Sequence, residues 1–78
     1  MSKEPKQTLD VTGDVCPMTF VKTKLMLEEL ESGEVLKVIL NSGEPYENVP
    51  RSVKNEGHNI IAIEPIGDKF KLLIEKGV

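Results

Sequence analysis

Cys16 is the only cysteine in the 78 residues, and Pro17 follows it directly. Proline is favoured at the first position of a helix, where its missing N–H costs nothing and its fixed φ suits the turn. That order puts Cys16 at the cap, just ahead of the helix proper. Its sulfur can then face the unpaired N–H groups and the positive end of the helix dipole, which makes a thiol easier to ionise. An unperturbed thiol is only a few per cent thiolate at neutral pH. A helix N-terminus offers an anion roughly 0.3–1 kcal/mol, and up to about 2 in a partly buried setting. The larger figure is a shift of about one pKa unit, which raises the thiolate fraction to roughly a quarter. Residues 17–20 carry no Asp or Glu, so ordinary capping has not used this helix end. Asp14 acts in the opposite sense, because a nearby like charge raises the pKa. The plainer alternative is a small cysteine that fills space in the core.

The other reactive side chains are few. His58 is the only histidine. It follows the second helix at that helix's far end, so a Cys–His dyad is not expected, and a place near a helix C-terminus accounts for it. One Cys and one His do not make a zinc set, and no metal or cofactor is implied. Gly43, Gly57 and Gly67 read as turn residues, since no Gly-rich phosphate loop is present. Asp10 and Asp14 read as turn residues near the thiol. Met18, Val21 and Leu25 form an apolar stripe that begins beside Cys16. Left exposed, that stripe suits docking of a partner protein, and Lys22 and Lys24 suit an acidic partner surface. The alternative is a broad core face covered by loops.

Six elements must position this turn. Residues 7–12 alternate, with Leu9 and Val11 on one side and Thr8 and Asp10 on the other, which predicts a short strand. Gly13 and Asp14 turn the chain. Residues 17–31 follow as a helix with Phe20, Thr23, Met26, Leu27 and Leu30 on the core arc. Lys24 and Glu28 are an i,i+4 pair along it, and Gly33 ends it as a left-handed cap residue. Residues 34–40 are apolar on both sides, which suits an interior strand. Residues 41–45 are a loop by composition. A second helix over 46–56 points Tyr46, Val49 and Val53 inward, with Pro50 in its first turn. Strands over 59–64 and 69–76 are joined by a hairpin at 65–68, the last strand facing inward through Phe70, Leu72 and Ile74. The order βαβαββ predicts a mixed four-stranded sheet with two helices on one face, a two-layer α/β sandwich. Its open face carries Lys37, Lys69 and Lys71.

Composition narrows the function classes. The length allows one small domain, with residues 1–6 as a disordered tail and 7–78 as the folded unit. One thiol cannot make an internal disulfide, and small secreted domains are usually rich in them, so a reducing compartment such as the cytoplasm is expected. The polar start lacks the apolar core of a signal peptide, and no apolar run reaches membrane-spanning length. The net charge of −3, with no basic block, argues against binding to nucleic acid. Phe20, Tyr46 and Phe70 are the whole aromatic supply, too few for a base-stacking platform.

With these residues in view, the sequence resembles a known family. Leu9-Asp10, a short turn, Cys16-Pro17, an apolar helix and Gly33-Glu34 look like the TusA/SirA family of small sulfur-carrier proteins. Val49-Pro50 and Glu56-Gly57-His58 also match, and the likeness extends from Leu9 through nearly the whole chain. It implies the βαβαββ sandwich, similar to the C-terminal domain of translation initiation factor three. It also implies a sulfurtransferase role: Cys16 takes sulfane sulfur as a persulfide from a donor protein and relays it to an acceptor protein. Pro17 would start the helix. The family motif is Cys-Pro-x-Pro, and Thr19 stands in place of the second proline. Its amide N–H and hydroxyl could hydrogen-bond a thiolate or persulfide. A different reading of the same fold is a regulatory or interaction module, or a nucleic-acid-binding domain, in which Cys16 is structural or redox-sensing.

Overall fold

In a computed structural model of the protein, residues 4–13 and 18–77 are described. The elements run β1 (Pro5–Asp10), α1 (Met18–Glu28), β2 (Val35–Asn41), α2 (Glu44–Asn55), β3 (Asn59–Ile66) and β4 (Lys69–Glu75). The sheet order is β1-β2-β4-β3. β1 pairs with β2 in parallel, while β4 runs antiparallel to both β2 and β3. The expected βαβαββ sandwich is therefore the observed one. The inward residues Leu36, Val38 and Leu40 of β2 and Leu72 and Ile74 of β4 pack in one cluster with Val11, Leu27, Leu30, Val49 and Val53. β2 and β4 are the inner strands, and their residues Leu36, Val38, Leu72 and Ile74 are fully buried. Among the described residues no helix is long and apolar enough to cross a membrane.

Several boundaries differ from the sequence expectation, each for a local reason. β1 takes in Pro5 and Lys6, which the composition assigned to the tail, with a register shift between Pro5 and Gln7 where they join β2. Proline is tolerated there because β1 is an edge strand. α1 stops at Glu28, before the expected residue 31, and continues as a tighter turn. Glu29 N–H and Leu30 N–H donate to the carbonyls of Met26 and Leu27, both at 3.1 Å. The tightening brings Leu30 into the core, 5% exposed. Gly33, with φ of 91°, then turns the chain into β2 instead of capping the helix directly. Lys24 pairs with Glu56 at the end of α2 (Nζ to Oε1, 3.3 Å), not with Glu28 along its own helix.

The larger difference is at α2. It begins at Glu44, so Glu44 and Pro45 belong to the helix and Asn41 to the strand; only Ser42 and Gly43 remain as the connection. Pro45 sits at the helix start, Glu44 and Glu47 face the positive end of its dipole, and Glu47 N–H closes the first turn on the Gly43 carbonyl at 3.1 Å. Pro50 consequently lies inside the helix and not in its first turn. An interior proline costs about 3 kcal/mol. Full burial of Val49 and Val53 on the same helix offsets that, at roughly 1.5–3 kcal/mol each. Tyr46 is 37% exposed, so it is only partly inward, and it covers Phe70 with ring centroids 4.2 Å apart. β3 runs on to Ile66, which shortens the hairpin to Gly67 and Asp68, with φ of 64° at Gly67. An edge position accommodates Pro65, and a bulge between Ile60 and Ala62 breaks the edge further.

Candidate functional site

Asp14, Val15, Cys16 and Pro17 lie outside the described residues, and so does any contact of the sulfur. The frame on either side of them is built by β1 and α1. β1 and β2 are parallel, so the chain leaves β1 and enters α1 at the same end of the sheet where β2 passes into α2. The β3–β4 hairpin reaches that end too, since Asn41 pairs with Lys69.

On the entry side, Val11 is fully buried and its N–H donates to the Ile39 carbonyl at 3.0 Å. Asp10 Oδ1 accepts both the Thr12 N–H at 2.9 Å and the Thr12 hydroxyl at 2.6 Å. This is an Asx-type turn, as the sequence suggested for Asp10. These two bonds from Thr12 hold the Asp10 carboxyl below its ordinary pKa, and the positive charge of Lys69 adds to the effect. The Asn41 side-chain amide donates to the Thr12 carbonyl at 2.7 Å. Asn41 and Thr12 were not singled out by sequence reasoning. Asn-Ser-Gly reads as a loop, and nothing local in the sequence links positions 29 residues apart.

On the exit side, α1 begins at Met18 and has no acidic residue in its first turn. Its buried row is Thr19, Thr23 and Leu27, spaced by four. Thr23 and Leu27 were expected inside, while Phe20 and Met26 flank the core half-buried. Thr19 is 0% exposed. The expected Thr19 contact with the sulfur lies outside the described residues; what the structure fixes is that the Thr19 side chain has no solvent-facing surface. The Thr23 hydroxyl donates to the Thr19 carbonyl at 2.7 Å, and no buried side-chain N or O among the described residues lacks a partner. Two threonines can thus line a core without loss. On the opposite side of α1, Met18, Val21 and Leu25 are 44%, 38% and 56% exposed, and Lys22 is exposed beside them. The second apolar stripe therefore faces outward.

His58 lies at the other end of the sheet. Its Nδ1 accepts the Gly77 N–H at 3.0 Å, and its own N–H donates to the Val53 carbonyl at 3.2 Å. Burial and the nearby Lys76 charge push its pKa down. The length of the seven-residue β2 separates it from the α1 start, about 20 Å at strand rise. It sits just after α2, as expected, and its observed contact is with the Gly77 amide beyond β4.

Comparison with known proteins agrees with this frame. The family model "Sulfurtransferase TusA" matches residues 7–76. The chain belongs to the TusA family. An Archaeoglobus fulgidus relative, whose name gives it a sulfur-carrier role, is 47% identical over 74 residues, covering 94% of this chain and 84% of its own. YedF of Escherichia coli K12, similarly named, is 31% identical over 72 residues, covering 92% and 94%. Among solved structures, a SirA-like protein from Desulfitobacterium hafniense superposes with a TM-score of 0.78 at 26% identity, over 92% of this chain and 99% of that one. The TusA-family assignment spans β1 to the end of β4, so both anchors of the Cys16 segment fall within the shared region.

Proposed function

We propose that this protein carries sulfane sulfur on Cys16 as a persulfide and passes it from a donor protein to an acceptor protein. The observation that carries the reading is the start of α1. The helix opens two residues after the lone thiol with no acid in its first turn. Membership of the TusA family and the names of the relatives support it. In loading, the Cys16 thiolate attacks the outer sulfur of a donor persulfide. A new S–S bond forms at Cys16, the donor's S–S bond breaks, and the donor leaves as its thiolate. In delivery, an acceptor nucleophile attacks the outer sulfur and Cys16 leaves as a thiolate. No external oxidant is consumed in either step. A perthiol is more acidic than a thiol, so the helix start holds the loaded form as an anion.

Pro17, directly after Cys16 in the sequence, is a residue type that favours a helix start, and α1 opens at the next residue. Thr19, standing where the family has its second proline, acts from behind: enclosed in the core, it fixes the first turn and the direction of its amides. A lone thiol of this kind keeps its reactivity in a reducing compartment such as the cytoplasm. Met18, Val21, Lys22 and Leu25 form the contact surface for donor and acceptor proteins.

The test separates the thiol from the surface. Inorganic polysulfide needs no docking, whereas a persulfidated rhodanese or desulfurase does. Wild type and Leu25→Glu are expected to gain one sulfur equally from polysulfide, read by intact mass and removed by reductant. From the protein donor, Leu25→Glu is expected to load about tenfold more slowly, a loss of roughly 1.4 kcal/mol in the encounter. No sulfur gain by wild type from either source would overturn the carrier reading. Equal rates from the protein donor would remove the docking stripe.

A further inference from the structure

We propose that His58 is an acid-released latch: its neutral imidazole holds the segment that follows β4 in place, and its protonated form lets Lys76 and Gly77 go. The inference is independent of the sulfur-carrier reading. It rests on how closely that segment is seated. Lys76 is tied to the turn ahead of β2, its N–H donating to the Glu34 carbonyl at 2.8 Å and its carbonyl accepting the Gly33 N–H at 2.9 Å. Gly77 is wedged between that turn and the one after α2. Its carbonyl accepts the Ser32 hydroxyl at 3.2 Å, and a Cβ added to it would run into the Gly57 carbonyl. Only glycine lets the two backbones approach so closely. The Gly77 N–H donates to His58 Nδ1 at 3.0 Å. His58 is itself fixed, because its backbone N–H donates to the Val53 carbonyl at 3.2 Å. The segment thus bridges the α1–β2 and α2–β3 connections, and His58 supplies the titratable acceptor in the bridge.

Accepting at Nδ1 requires a neutral ring with its proton on Nε2. Protonation puts an N–H on Nδ1, so two donors face each other where a hydrogen bond stood, and the ring charge adds repulsion from Lys76. The other charges around the latch are engaged. Glu56, at the end of α2, favours the charged ring but is paired with Lys24 at 3.3 Å. Glu34 accepts the Glu31 N–H and pairs with Lys6, and Glu75 accepts the Asn59 side-chain amide. Burial first, and Lys76 second, hold the folded ring below its ordinary pKa of 6.5. The unfolded chain therefore takes up the proton first as pH falls below about 6.5. The stability the latch contributes is whole above that pH and is lost as pH falls through the folded value.

The readout is the backbone order of Lys76 and Gly77 from NMR relaxation on the full chain, with the His58 ring titrated in the same samples. In wild type, both order parameters are expected near the rigid value of about 0.85 at pH 7.5, and below about 0.6 at one pH unit under the ring's midpoint. Those of Leu72 and Ile74 should not move. His58→Asn keeps an acceptor at the same distance along the side chain but does not titrate, and should stay rigid at both pH values. His58→Ala should be loose at both. Gly77→Ala pushes the segment off Gly57, and because release and protonation are linked, the ring midpoint should rise toward 6.5. Unchanged order in wild type through the ring titration would overturn the proposal. So would His58→Asn loosening in step with wild type, which would assign the release to carboxylates. Loss of order throughout β4 at the same pH would also overturn it, since the change would then be general acid unfolding.

Discussion

Cys16→Ser is expected to take up no sulfur at all. Serine's hydroxyl stays protonated at neutral pH and cannot form the S–S bond that stores the cargo. The chain has no second thiol to substitute for it. Intact mass after exposure to polysulfide should show one added sulfur on wild type and none on the variant. The effect is all-or-none, larger than any rate change expected from the surrounding residues. The exchange replaces sulfur by oxygen and leaves both anchors of the segment untouched, so the unfolding free energy should stay within about 0.5 kcal/mol of wild type. A variant that still gained a reductant-labile sulfur would mean that the cargo sits elsewhere.

The largest expected effect on stability belongs to Leu36→Ala. Leu36 is 0% exposed on β2, an inner strand, and sits in the cluster shared by both helices. Truncation of a leucine in such a place leaves a cavity and costs about 3 kcal/mol, within a usual range of 2–5. A domain of 60–100 residues loses roughly 4–8 °C per kcal/mol, so the midpoint should fall by about 15 °C. Leu25→Ala removes the same atoms from a side chain that is 56% exposed, and should move the midpoint by only a few degrees. Thermal unfolding followed by circular dichroism compares the two directly. Equal losses would contradict the assignment of one leucine to the core and the other to the surface.

These two leucines also show how far the sequence could be read. Alternation in β2 and β4 exposes their inward residues plainly, because a strand has two sides and one of them is uniformly apolar. α1 is harder. Its apolar residues surround much of the helix, so periodicity yields a broad arc assigned to the core and a second stripe that could face either way. The structure buries Thr23, which the spacing assigned to the core, and with it Thr19, a polar residue the spacing did not place there. Thr23 satisfies its hydroxyl on the backbone carbonyl of Thr19. In α2 the obstacle was proline chemistry. Pro50 pulls the expected start downstream, whereas Gly43 and Pro45 together start the helix earlier and leave Pro50 inside it. At the site, Cys16 and Pro17 declare themselves by type and adjacency. The Asn41 hydrogen bond to the Thr12 carbonyl does not, since it depends on β1 and β2 running side by side. No spacing along the chain encodes that contact; the parallel pairing creates it.

The proposed sulfur relay requires a thiol activated by the helix that follows it. Because the chain has a single cysteine, the rate of iodoacetamide alkylation against pH reports that thiol alone. The expected profile has its midpoint about one unit below the ordinary thiol value of about 8.5. A midpoint at or above that value would contradict it, for it would mean a sulfur that the helix start does not hold as an anion.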